Sequence, residues 1–210
     1  HTIDDSDEIR DELLSHLLGV WNYIKNYSEN KEQASNYAIE WIGKLPGKRE
    51  SRRLIGDVIV SEKNCRQSRK WPDRVCRSGW FLDIHTVGGI LNKSEPVERA
   101  HLDNNYKNYT MVAPFSLPLR AFYSKNISNL WMAGRNISVT HVALASVRVM
   151  NTLANIGQVV GTAASYAIQH KLSPRQTANI EEKDIRHIQQ ILLKNDICIP
   201  EIKNEDKKDL

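Results

Sequence analysis

The chain has 210 residues, 40% of them hydrophobic and 26% charged, a balance that fits one globular domain or two small ones and excludes a disordered chain. With 29 basic against 25 acidic residues the net charge is only +4, too mild to point to nucleic acid as a partner. No apolar run reaches the length of a membrane span, since the best window (139–168) is broken by His141, Arg148, Asn151, Asn155 and Gln158.

Apolar residues at helical spacing (Ile9, Leu13, Leu14, Leu17, Leu18, Trp21, Ile24) predict a first helix over 5–27, with Asp4, Asp5, Asp7 and Glu8 suited to its positive end. A second helix is expected over 31–43, with Tyr37, Ala38 and Trp41 on one face, Gly43 ending it and Leu45-Pro46-Gly47 breaking the chain. The pair reads as a helical hairpin. The β-branched run 53–60 predicts a strand, followed by a short polar turn or helix from Ser61. A second strand is expected over 79–86, closed by Val87-Gly88-Gly89, and then an irregular surface loop over 91–108. Pro114 and Pro118 require an extended segment, and 129–133 reads as a short buried strand ending at Gly134.

The longest signal is a helix expected over 146–170, one face of which carries Met150, Ala154, Gly157, Gly161, Ala164 and Ile168. Small residues at that spacing admit a second backbone or a flat ligand. Ser173-Pro174 has the form of a cap with a first-turn proline, 181–194 is amphipathic, and the charged tail from Lys203 is expected to fray. Together these elements predict an α/β or α+β fold, helical at both ends.

Cys65, Cys76 and Cys198 are odd in number and form no C-x-x-C, so neither a disulfide framework nor a zinc site is expected. The chain opens at His1 with no charged, apolar leader, which favours the cytoplasm and reads as a processed chain or a piece of a longer protein. Asn26, Asn92, Asn108, Asn126 and Asn136 begin glycosylation-type triplets, which are taken as chance matches where no secretory signal stands.

Chemistry concentrates in 118–167: an extended segment, a Gly134-Arg135 turn, a polar loop with His141, and a helix whose start carries Arg148. Unpaired N–H groups and a cation at a helix start suit a ligand oxygen that is or becomes negative. By spacing alone, a structural helix with Arg148 in a surface ion pair satisfies the same residues.

The window reads Asn129-Leu130, Ala133-Gly134-Arg135-Asn136-Ile137-Ser138, then Thr140-His141, Ser146, Arg148-Val149-Met150, then Gly157-Gln158 and Gly161-Thr162-Ala163-Ala164. Upstream, Arg52-Arg53-Leu54-Ile55-Gly56-Asp57, Trp71-Pro72-Asp73 and Gly79-Trp80-Phe81-Leu82-Asp83-Ile84-His85 stand in the same order as in a known pattern. Over about 49–175 the sequence resembles the C-terminal portion of the FAD-dependent oxidoreductases, some bacterial members of which carry the label xanthan lyase. The resemblance implies FAD as cofactor and hydride transfer with a small organic substrate. It implies that the Gly134-Arg135 turn approaches the ribityl and phosphate part, and that a helix starting at Arg148, Val149 and Met150 faces the pyrimidine edge of the flavin. It further implies an acid/base group, for which His85 and His141 are the candidates.

Segment by segment, 1–48 is expected to be an N-terminal helical piece and 49–113 a substrate-side cap. Residues 114–175 would be the last part of the FAD-binding domain, and 176–210 a terminal helix and tail. The ten glycines (19, 43, 47, 56, 79, 88, 89, 134, 157, 161) form no G-x-G-x-x-G, the turn that holds the ADP half of the cofactor. The expected partner is therefore an N-terminal FAD-binding half, with weak or no FAD binding by this chain alone. Self-association through surfaces that half would cover is also expected. The alternative is a non-catalytic helical binding or scaffold module on a flavoprotein frame.

Overall fold

A computed structural model describes residues 1–85, 92–94, 110–181 and 183–208. The chain divides into two compact units, 1–51 and 52–210.

In the first unit, helix α1 (Ser6–Asn26) forms where the apolar spacing requires it, with Asp7 and Glu8 in its first turn and Lys25 in its last. None of its residues is fully buried. The second helix is much shorter than expected: α2 is only Lys31–Ala34. Its end is set by Lys25, whose ammonium donates to the carbonyls of Ala34 (2.8 Å), Ser35 (2.7 Å) and Tyr37 (2.8 Å). The Ala34 oxygen also accepts from Tyr37 N–H (3.0 Å), three residues on, so the chain turns more tightly than an α-helix there. The chain beyond is irregular, and Ile39, Trp41 and Ile42 join Leu17, Val20, Trp21 and Ile24 of α1 around an apolar groove of about 450 Å³. Trp41 is 81% exposed at its rim.

The second unit begins with 53–60, which is extended but joins no named strand. Its backbone is threaded beside 120–140 through Leu54 N–H to Asn136 O (2.9 Å), Val58 N–H to Arg120 O (3.2 Å) and Val60 N–H to Ser138 O (3.0 Å). Gly56 makes this passage possible, because a Cβ there would stand 2.5 Å from the Arg120 carbonyl oxygen. Helix α3 (Glu62–Arg66) follows, with the Ser61–Asn64 capping box.

The strand expected over 79–86 is displaced. The ladder forms earlier, between β1 (Arg74–Ser78) and β2 (Phe115–Pro118), antiparallel and with a register irregularity between Arg74 and Cys76. Pairing stops where Pro114, without an N–H, lies against Gly79. Among the described residues this is the one sheet. A 3₁₀ turn, Leu119–Ala121, closes β2. Segment 129–133 is extended rather than a full strand, held by Met132 N–H to Phe122 O (2.7 Å) and the Tyr123–Trp131 bridge. The loop expected over 91–108 lies, except for 92–94, outside the described residues.

The single helix expected over 146–170 is two helices. α4 (His141–Val147) is capped by the Thr140 hydroxyl, and α5 (Met150–His170) starts after a break at Arg148-Val149. Short α6 (Pro174–Thr177) carries the Ser173–Gln176 capping box, and α7 (Lys183–Lys194) buries Ile185, Ile188, Gln189 and Leu192. That i, i+3, i+4, i+7 face packs with the buried face of α5 (Ile156, Val159, Ala163, Tyr166) against β1. Each fully buried aliphatic side chain there contributes roughly 1.5–3 kcal/mol. The tail lies against α7 over 203–206: Arg186 pairs with Glu205, Lys194 with Asp206 (3.2 Å), and Gln190 donates to Lys203 O (2.9 Å).

All three thiols are unpaired. Burial pushes Cys65 and Cys76 up to about 12, so neither is a nucleophile near neutral pH.

Candidate functional site

The segment after β1 is bound to the α4–α5 junction by a series of hydrogen bonds. Ser78 Oγ donates to Ser146 O (3.1 Å), and the Ser146 hydroxyl donates in turn to the carbonyl of Trp80. Two residues after Ser146, the Arg148 guanidinium donates through Nη2 to the Asp83 carbonyl oxygen at 2.7 Å, and the Asp83 carboxylate lies 3.7 Å from the same nitrogen. On its other side the carboxylate stands 3.6 Å from His85 Nε2. Arg148, Asp83 and His85 therefore form one cluster, assembled from positions more than sixty residues apart.

Arg148 corrects the expectation in one respect. It is not inside the first turn of the long helix. Its N–H donates to Leu144 O (2.8 Å) and closes α4, while Val149 is the N-cap residue of α5. The guanidinium nevertheless sits at the junction from which α5 departs. Its side chain is only 12% exposed, and its Nε–H is buried with no hydrogen-bond partner among the described residues. An unmet buried donor costs roughly 1–3 kcal/mol. The first turn of α5 also lacks a side-chain cap. Met150 stands 87% exposed beside it, and Trp80 is half exposed with its ring 5.1 Å from that of Phe81. The junction combines a fixed cation, unmet donors and open apolar surface, which suits a planar ligand with acceptor oxygens.

The remaining expected site residues lie elsewhere. His141 is not in a loop: it is the first residue of α4 and exposed. Six residues of helix separate it from Arg148, roughly 10 Å along the axis. Gly134 occupies a left-handed conformation (φ +95°) with open space where a Cβ would point, so glycine is required by the turn itself. Arg135 is exposed and makes no hydrogen bond or ion pair with Arg148, Asp83 or His85.

The small-residue face of α5 looks outward. Ala154, Gly157 and Gly161 are exposed, nothing lies within 4 Å of a Cβ at either glycine, and Ile168 is 79% exposed. Asp83 itself escaped the sequence reading, because an acid in an expected strand signals no partner by spacing. Among the described residues no group of His, Cys, Asp and Glu could hold a metal ion, and no helix is long and apolar enough to cross a membrane.

A family model described as FAD dependent oxidoreductase matches residues 2–192. The match takes in the first unit, which the sequence motifs had left outside the resemblance. No curated protein and no solved structure matches the chain.

Proposed function

The chain belongs to the FAD-dependent oxidoreductase family, and from that premise we propose that it supplies the C-terminal part of a flavin site at which hydride passes between an organic substrate and FAD. The observation that carries the reading is the Nε–H of Arg148, buried and unpartnered among the described residues, beside a helix start that none of their side chains caps. Donors left unmet at such a junction fit the acceptor-rich edge of a flavin. Bound FAD supplies the hydride-accepting ring.

Arg148 would hold a full positive charge beside the ring as it takes up electrons, and the first-turn N–H groups from Met150 onward would add partial charge of the same sign. Val149, as the N-cap residue, opens that turn. His85 is the stronger acid/base candidate, because it shares Asp83 with Arg148, whereas His141 stands at the far end of α4. The Gly134-Arg135 turn would approach the ribityl and phosphate part of the cofactor, and the open Gly157–Gly161 face would pack on a dinucleotide-binding layer.

That layer is the proposed partner. No G-x-G-x-x-G can be formed from these glycines, so a second polypeptide portion would hold the ADP half. The alternative, a non-catalytic binding module, is favoured by the apolar groove of the first unit. No residue of the Arg148 cluster recommends a lyase.

The test is binding. Residues 1–210 alone are expected to purify colourless. Combined with a portion carrying G-x-G-x-x-G, they are expected to form a yellow 1:1 complex absorbing near about 450 nm. A complex that stays colourless at saturating FAD would leave the module reading in place.

A further inference from the structure

Asp83 touches the site in two separable ways. Its backbone carbonyl accepts from Arg148 Nη2 at 2.7 Å, while its carboxylate lies 3.7 Å from Arg148 Nη2 and 3.6 Å from His85 Nε2. The carbonyl is the shorter contact and fixes the direction of the guanidinium. The carboxylate is off hydrogen-bond distance to both neighbours, so it acts on them through its charge. A salt bridge of this length on an open surface would be worth little. Here the arginine is almost wholly covered, and the aspartate is about two-thirds covered, so solvent screens the pair less.

We infer that Asp83 is a positioning residue that sets the effective charge Arg148 presents to its ligand, with the backbone carbonyl aiming the guanidinium and the carboxylate partly offsetting it. Among the described residues, the charged and titratable groups that face this carboxylate are Arg148 from the α4–α5 junction and His85 from its own segment. The inference rests on the flavin placement proposed above. It adds that the site is held below its full positive potential by a residue that touches Arg148 and His85 alike.

Because the aiming contact is made by main chain, Asp83→Asn removes the charge and keeps the aim. Redox titration of the FAD-loaded holoenzyme is the measurement, run on wild type, Asp83→Asn, Arg148→Met and the double variant. Asp83→Asn is expected to favour the reduced flavin by about tenfold at a fixed potential, an upward shift of about 30 mV for a two-electron couple. Arg148→Met is expected to shift it downward, and the double variant to lie between the two single variants, since the partial offset is then removed together with the charge it offsets. A residue with only a structural role would move both single variants in the same direction or neither.

If Arg148→Met lowers the potential while Asp83→Asn leaves it unmoved or lowers it too, the role of Asp83 is refuted and the flavin placement stands. If neither variant moves it, both are refuted. In the cofactor-free chain, the Arg148 Nε–H resonance is expected to stay protected from exchange in Asp83→Asn as in wild type. Its loss would show that the carboxylate, not the carbonyl, holds the guanidinium, and would overturn the division of roles.

Discussion

Asp73 is wholly buried, and Arg120 grips it at both carboxylate oxygens: Nε to Oδ2 at 3.0 Å and Nη2 to Oδ1 at 2.8 Å. The backbone N–H of Arg120 donates to Oδ2 as well (3.0 Å), and Leu119 N–H donates to the Asp73 carbonyl (2.9 Å). The pair ties the entry of β1, on which α5 and α7 rest, to the exit of β2. Arg120→Met would leave a buried carboxylate without its cation. A loss of about 3–5 kcal/mol is expected, read by urea denaturation, with the double variant Asp73→Asn/Arg120→Met recovering part of it.

A second ionic clamp makes stability depend on pH. Asp57 accepts from Arg175 at two points (2.7 Å each) and from the Tyr123 hydroxyl (2.7 Å). Burial works to raise the Asp57 pKa, but these bonds outweigh it and hold the carboxylate below its ordinary range. A depressed folded-state pKa contributes stability that is present above the unfolded value and is lost as pH falls through the folded one. Thermal unfolding temperature is therefore expected to drop as pH falls below about 4. The drop should be shallower in Asp57→Asn, which begins less stable at pH 7. Parallel curves for the two proteins would contradict the clamp.

Two glycines are expected to answer oppositely to alanine. At Gly56 the new Cβ meets backbone oxygens of Arg120 (2.5 Å) and Tyr123 (3.1 Å), so Gly56→Ala should destabilise by roughly 1–3 kcal/mol. At Gly157 the helix surface is open, so Gly157→Ala should stabilise the chain by about 0.5–1 kcal/mol. If the α5 face docks on a dinucleotide-binding partner, the same Gly157→Ala should weaken that association. Calorimetry of the chain alone, and titration of the complex, check the two halves separately.

What the sequence disclosed was what local chemistry decides. The Ser173-Pro174 cap, the amphipathic face of α7 and α1 with its acidic first turn all stand where their spacing put them. The misplacements came from partners distant in sequence. α2 stops short where Lys25 takes the carbonyls of its last residue, Ala34, and of Ser35 and Tyr37 beyond it. The ladder lies at 74–78 rather than 79–86 because its partner strand is preceded by Pro114. The break between α4 and α5 had a local signal in the β-branched Val147 and Val149 that flank Arg148, and Thr140 had the form of an N-cap. The apolar continuity of the stretch concealed both. Within the site, Arg148 and the Gly134 turn were legible as motif positions, whereas the Arg148–Asp83–His85 cluster depends on a contact across 65 residues that no periodicity encodes.

The central claim is that Arg148 lies beside the redox-active edge of the cofactor. Its most direct test is the flavin midpoint potential of Arg148→Met in the FAD-loaded protein. Methionine keeps the bulk of the stem, and position 148 closes α4 through its backbone N–H, so far-UV structure should be unchanged. Removing one partly screened charge a few Å from the ring is expected to cost about 1–3 kcal/mol of preference for the reduced state, a fall of roughly 20–65 mV for a two-electron couple. A shift under about 10 mV with FAD fully bound would take Arg148 out of the flavin site, and the start of α5 with it.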